Sequence, residues 1–260
     1  PILGVLDAKQ IVASYGHHIV LLIIGAFFVA KAIEVNNLHK RIALATIRIV
    51  GTSRQKIMLG FMISTGFLSM WTSNNSTTLM MLPIGLAILD REENQGADIS
   101  RFAPGLMLCI AYSASIGGVG TLVGTPPNLV FVSTLKELFP GSPDILFLEW
   151  LKIGIPFVVF FIPITWFYLI RYFKISGVLS GSSDIIEQEY RSLGPMSKAE
   201  KKVSVIILFY AFGFIFRDWW SELLGVSGFA KDSTVAMVAT LFLFSISSGK
   251  TNKKGKTRRL

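Results

Sequence analysis

Two long stretches of this chain carry no acidic, basic or histidine side chain: residues 57–89 and 102–135 contain no Asp, Glu, His, Lys or Arg. A proton relay in either stretch would have nothing to titrate, and a metal site built on carboxylates or imidazoles would have no ligands there. Cysteine is equally scarce. Cys109 has no partner in the chain, which excludes an intramolecular disulfide and a thiolate metal site, and it reads as small filler in an apolar run. No Gly-Lys-Ser/Thr closes the glycine-rich segment 117–128, so that segment is not the phosphate-binding loop of a nucleotide hydrolase. No nucleophile–base pair stands near the polar motifs, which argues against an enzyme.

What the chain has in quantity is apolar surface. At 52% hydrophobic residues and a mean hydropathy of +0.58, with several long uncharged runs, it reads as an all-α integral membrane protein. The net charge of +9 does not point to nucleic acid, because the basic residues alternate by membrane side. Segments 36–56, 90–101, 171–202 and 249–260 hold 19 of the 25 Lys and Arg, and the positive-inside rule places them in the cytoplasm. Lys9, Lys136, Lys152, Arg217 and Lys231 fall on the other side.

The organising stretch is LSMWTSNNSTTLMMLP, residues 68–83, in which six small polar residues, 73–78, separate two apolar arms. In hydrocarbon such a run must either leave the bilayer as a loop or line a site inside it. The second arm, counted as residues 79–89, offers about 16 Å of helix, roughly half of a bilayer core. The expectation is a re-entrant helical hairpin over 54–91 with its polar tip inside the membrane; the alternative is a tight turn between two skewed spanning helices. A second interruption, GGVGTLVGTPPN over 117–128, predicts a discontinuous helix across 102–139, since four glycines and two prolines would wreck a lipid-facing helix.

Broken helices leave carbonyls at the end of the first half and N–H groups at the start of the second. At the hairpin the carbonyl-rich end is expected at 69–72, with Asn75, Ser76 or Thr77 capping the next helix. At the second break residues 116–118 end one half, and Thr125-Pro126-Pro127 begins the other with an N-cap and prolines in the first turn. Two helix N-termini can then face an anion while two C-termini, with hydroxyl and amide oxygens, collect a small hard cation, sodium before all.

The rest of the chain is scaffold in this reading. Residues 1–36 form an external lead-in and a first spanning helix; His17 and His18 at its outer end point about 100° apart and cannot chelate one ion together. Lys31 and Glu34, three apart, can pair on one face as a structural ion pair or, alternatively, serve coupling. Residues 37–52 form an amphipathic helix in the cytoplasmic interface, with Leu38, Ile42, Ala45 and Ile49 as its apolar stripe. Residues 53–175 make a transport half: the hairpin, the broken helix, and a span over 150–172 kinked at Pro156 and Pro163. Residues 176–202 read as a cytoplasmic linker, 203–248 as two scaffold helices around the interfacial Arg217, Asp218, Trp219 and Trp220, and 249–260 as a basic cytoplasmic tail acting as a topology anchor.

The strings SMWTSNNSTTLMMLPI and YSASIGGVGTLVGTPPNLVF resemble the divalent anion/sodium symporter family, the sodium-coupled transporters of dicarboxylates, citrate and sulfate. The order of elements matches over essentially the whole chain. The resemblance implies an inverted-repeat, elevator-type transporter working as a homodimer in the bilayer, with a Ser-Asn-Thr signature at each of two hairpin tips. Ser73-Asn74 match that signature, and Asn75 stands where threonine is usual. By the family pattern Ser69, Ser73, Asn74 and the glycine loop around Gly118, Gly120 and Gly124 ligate a sodium ion. Asn74 and Asn75 meet a substrate carboxylate, with Thr125 and Asn128 nearby. The second hairpin is not in these 260 residues, so the chain is expected to be part of a longer transporter. A sodium-independent dicarboxylate exchanger, or a non-transporting membrane scaffold, is the alternative.

Overall fold

The computed structural model describes residues 7, 15–51, 53–178, 182–227, 229–251 and 257–259. The expected external lead-in, apart from residues 7 and 15, and residues 252–256 and 260 of the basic tail lie outside the described residues. Among the described residues the helices are α1 (His18–Val35), α2 (Leu38–Val50), α3 (Arg54–Ser69), α4 (Asn74–Asn94), α5 (Phe102–Val119), α6 (Pro126–Leu138), α7 (Phe147–Phe173), α8 (Ser182–Ser192), α9 (Lys198–Ile215), α10 (Arg217–Leu223) and α11 (Asp232–Ser245). A short antiparallel ribbon, β1 (Ser247–Thr251) with β2 (Thr257–Arg259), pairs part of what was expected to be a plain basic tail.

Helices α1, α5 and α7 are long and apolar enough to cross a membrane. Phe160 and Phe167 on α7 are exposed to 65% and 60%, along with Ile153 and Val159, a face no soluble domain would leave bare. The chain is a multi-pass, all-α integral membrane protein. Pro156 and Pro163 lie inside α7 without ending it.

Helices α3 and α4 form a helical hairpin whose open ends are tied together: Arg54 Nη2 lies 3.0 Å from Glu92 Oε2, and Arg54 Nη1 donates to the Asp98 carbonyl at 3.1 Å. The first arm has 16 residues and the second 21, about 24 and 31 Å at 1.5 Å per residue. The second arm is therefore about twice the length counted from residues 79–89, so arm length does not separate a re-entrant hairpin from two spanning helices. It starts at Asn74 because Ser73 caps it, and it runs beyond Asp90 because Glu92, almost wholly buried, finds Arg54. Residues 92–94, beyond the hairpin expected over 54–91, are helical as a result.

Helix α3 lies along α5, and in a bilayer such pairs are held by close packing and hydrogen bonds more than by the hydrophobic effect. Gly117 shows how close: a methyl group there would overlap the main chain of Gly66. The contact accounts for glycine at 117, and α5 continues through Gly117 and Gly118 to Val119, where the sequence suggested a break from 117. The interruption is shorter than expected, with α6 beginning at Pro126.

Two apolar cores result. One joins Ile57, Met58 and Phe61 of α3, Met81 and Ile88 of α4, Leu106 and Ile110 of α5, and Ile162 and Leu169 of α7. The other joins Leu22 and Val29 of α1, Ile206, Tyr210 and Phe214 of α9, and Ala236 and Leu243 of α11, with Leu122, Leu129 and Phe147 from around α6. Helix α2 serves both, Leu38 in the second core and Ala43, Leu44 and Ile47 in the first. Its buried face is thus not the stripe 38, 42, 45, 49: Ile49 is 83% exposed, because the helix turns Ala43 and Ile47 onto the first arm, where Ser64 Oγ reaches the Ala43 carbonyl at 3.3 Å.

Nor is 176–202 a plain linker. Helix α8 buries Ile186 in the first core, and ion pairs clasp it to α2: Lys40 to Glu189 at 2.9 Å and Arg48 to Glu187 at 2.7 Å. Arg41 reaches further, bonding Glu200 at the start of α9 at 2.9 Å and the carbonyls of Leu193 and Gly194. The helical spacing of Ile186, Tyr190 and Leu193 was the sequence signal for this element.

Candidate functional site

The two interruptions meet. Helix α3 ends at Ser69 and α5 at Val119, so two carbonyl-rich ends arrive together, while α4 and α6 start beside them with free N–H groups. Thr121 Oγ1 donates to the Met70 carbonyl at 2.5 Å, and Gly124 lies close to the carbonyls of both Ser69 and Gly118.

Ser69 is fully buried, and its Oγ lies 2.7 Å from Asn74 Oδ1 and 2.7 Å from the Ala114 carbonyl. The Asn74 amide in turn rests on Gly118, where any side chain would overlap it. Side-chain and main-chain oxygens from α3, α4 and α5 thus converge on one corner. Ser73 is the N-cap of α4: its Oγ accepts from Ser76 N at 3.2 Å, so the cap falls on Ser73 and not on Asn75, Ser76 or Thr77. Thr77 Oγ1 lies 2.7 Å from Thr72 Oγ1 and 3.1 Å from the Ser73 carbonyl, which braces the turn from within.

The remaining expected residues are more dispersed. Gly120 caps the end of α5, its N–H donating to the Gly117 carbonyl at 2.8 Å. Thr125 holds the N-cap position of α6 with extended backbone, φ −145° and ψ 141°, and makes no capping bond through its side chain; Pro126 and Pro127 occupy the first turn as expected. Asn128 is buried, and its amide nitrogen donates to the Gly118 carbonyl at 2.9 Å and the Thr121 carbonyl at 2.8 Å. Asn75 is exposed on the outer side of the first turn of α4.

A cavity of about 220 Å³ opens beside the tip, with Thr72, Ser73, Ser76 and Thr77 on the hairpin side and Lys31, Glu34 and His39 opposite. Lys31 and Glu34 are ion-paired at 2.7 Å. His39 Nδ1 meets the Ile33 carbonyl at 3.0 Å, and burial lowers its pKa below the usual histidine value. Among the described residues no group of three or more His, Cys, Asp or Glu could hold a metal ion. Sequence reasoning missed the Ala114 carbonyl, Thr121 and Trp150, whose Nε1 donates to the Val119 carbonyl at 2.8 Å. Of these only Thr121 left a trace, as a donor side chain among the glycines of the loop.

The profile described as citrate transporter matches residues 1–250. A protein of Staphylococcus saprophyticus named sodium-dependent dicarboxylate transporter SdcS is 38% identical over 255 residues, covering 95% of this chain and 49% of the relative. The protein of the same name from Staphylococcus aureus is 37% identical over 262 residues, covering 97% of this chain and 50% of its own length. The chain spans about half the length of these relatives.

Proposed function

Because this chain belongs to the citrate transporter family, we propose that it carries the first binding hairpin of a sodium-coupled secondary transporter of small di- or tricarboxylates. It is a transport protein and not an enzyme. The observation that carries the proposal is the junction of the two helix breaks. Ser69 Oγ has a single proton and two oxygen neighbours at 2.7 Å, so with the Asn74 amide turned as found, one short oxygen–oxygen contact holds no hydrogen. A neutral, oxygen-rich corner of this kind fits a hard monovalent cation better than a proton.

In this reading Ser69, Ser73 and Asn74 supply side-chain oxygens to sodium, and the main chain around Gly118, Gly120 and Gly124 completes the set. The N–H groups of Asn74 and Asn75, with Thr125 near the start of α6, meet a substrate carboxylate, with Asn128 close behind them. The N-termini of α4 and α6 and the cation's own charge offset that carboxylate. The hairpin is re-entrant, and 53–175 moves elevator-fashion against a scaffold made of 1–36 and 203–248 in a homodimer. The first core supports that division for the hairpin, α5 and α7, whereas Leu122, Leu129 and Phe147 of 53–175 pack with α1, α9 and α11 in the second and mark the surface along which the two units meet. Residues 37–52, 176–202 and 249–260 stay on the cytoplasmic side.

The test is uptake of labelled succinate into proteoliposomes holding the full-length protein under an imposed inward sodium gradient. Accumulation that collapses when sodium is replaced by choline is expected. Uptake indifferent to sodium but dependent on dicarboxylate inside the vesicle would make the protein an exchanger. No flux at all, with intact crosslinked dimers, would make it a scaffold.

A further inference from the structure

We propose that Thr121 and Asn128 are positioning residues that set the cation preference of the glycine loop, and that Asn128 does not touch substrate; this rests on the sodium-coupled reading above. Of the six residues between α5 and α6, two are glycine and only Thr121 and Thr125 carry polar side chains that could fix a carbonyl. Thr121, fully buried, donates its hydroxyl proton to the Met70 carbonyl, which pins the loop to the end of α3. Asn128, 6% exposed, has two amide hydrogens, and it makes bonds of 2.9 and 2.8 Å to the carbonyls of Gly118 and Thr121. With both hydrogens placed on main-chain oxygens, Asn128 has no donor left for a carboxylate.

The Gly118 carbonyl, by contrast, has two lone pairs. The bond from Asn128 fixes its direction while leaving the second pair open. The two side chains therefore tie three backbone pieces, the end of α3, the loop and the first turn of α6, into one frame behind the Ser69–Asn74 corner. A frame that holds the carbonyls at fixed spacing discriminates among cations by size, and its loss is felt by the cation before the anion. Outer partners that orient ligands in this way change affinity by about 10- to 100-fold when removed.

The experiment compares wild type with Thr121→Val, Thr121→Ser and Asn128→Ala in the full-length protein. It reads the rise in unfolding temperature with added sodium or lithium, and succinate binding at saturating sodium. For Thr121→Val and Asn128→Ala the sodium concentration giving half the thermal shift should rise about 10- to 100-fold, with the lithium–sodium difference reduced. Thr121→Ser keeps the hydroxyl and should match wild type, and succinate affinity at saturating sodium should be unchanged in all. If wild type gains no stability from sodium, the sodium-coupled reading itself fails. If wild type responds and Thr121→Val responds equally, or if Thr121→Ser loses as much as Thr121→Val, the frame has no part in cation choice. A loss of succinate affinity in Asn128→Ala at saturating sodium would put Asn128 on the substrate.

Discussion

Replacing Asn74 by alanine separates the fold from the site more cleanly than any other change. The side chain lies 2.7 Å from the Ser69 hydroxyl and against the face of Gly118. Ser69 keeps its alternative acceptor, the Ala114 carbonyl, so no buried donor is orphaned and the fold should lose only about 1 kcal/mol. The ligands have no such substitute. Asn74 holds the tip amide that lies in the Ser69 corner, where it can offer an oxygen to a cation and N–H donors to a carboxylate; the neighbouring amide of Asn75 is exposed, and residues 57–89 hold no charge to replace either. Asn74→Ala should therefore weaken sodium and substrate together, each by about 1 to 3 kcal/mol, roughly 5- to 150-fold. Succinate binding measured by calorimetry over a sodium series gives both constants. Lys31→Ala serves as the control, because its pair with Glu34 is 62% and 44% exposed and of a kind that contributes little. Normal binding in Asn74→Ala with loss in Lys31→Ala would refute the reasoning and move the site to the cavity beside α1.

Gly118→Ala should reproduce Asn74→Ala, since its methyl group pushes the same amide away; intact sodium-dependent binding in that variant would mean the amide's position is immaterial. Arg41→Ala should lower the unfolding temperature by the equivalent of about 1.5 to 3 kcal/mol, because Glu200 loses its cation and keeps only the bond from Ser197 N; the double change Arg41→Met with Glu200→Gln, which keeps that bond, should recover part of it, and failure to recover would show that the main-chain bonds of Arg41 carry the effect. Burial lowers the pKa of His39, so the unfolded chain binds more protons there than the folded one. Its contribution to stability should decline as pH falls through the unfolded value of about 6.5 and level off below the folded one, and His39→Gln should flatten a pH series of unfolding temperatures.

The sequence made some of this legible and hid the rest for physical reasons. The long uncharged runs marked the membrane helices, and the polar run after Trp71 together with the glycine loop marked the two places where helices stop. That these two places adjoin could be argued only from the need of each for the other's polar groups. Boundaries were harder. Asn74 to Thr78 look like loop residues by composition, yet Ser73 caps them into a first helical turn, and Gly117-Gly118 look like a break, yet they are helical and packed against Gly66 and Asn74. The buried face of α2 is set by how the next helix folds back on it, and the clasp of Arg41 on Glu200 by a partner 159 residues away. Periodicity within one segment carries no trace of either.

The central claim is that the junction of the two breaks is where the cation binds. The most direct measurement is a difference density map of the full-length protein prepared in sodium and in choline with the same succinate present. The account predicts a peak among Ser69 Oγ, Asn74 Oδ1 and the main chain of the glycine loop, with succinate density against the first turn of α4. A peak in the cavity lined by Lys31, Glu34 and His39, with the Ser69–Asn74 corner unchanged between the two maps, would contradict it.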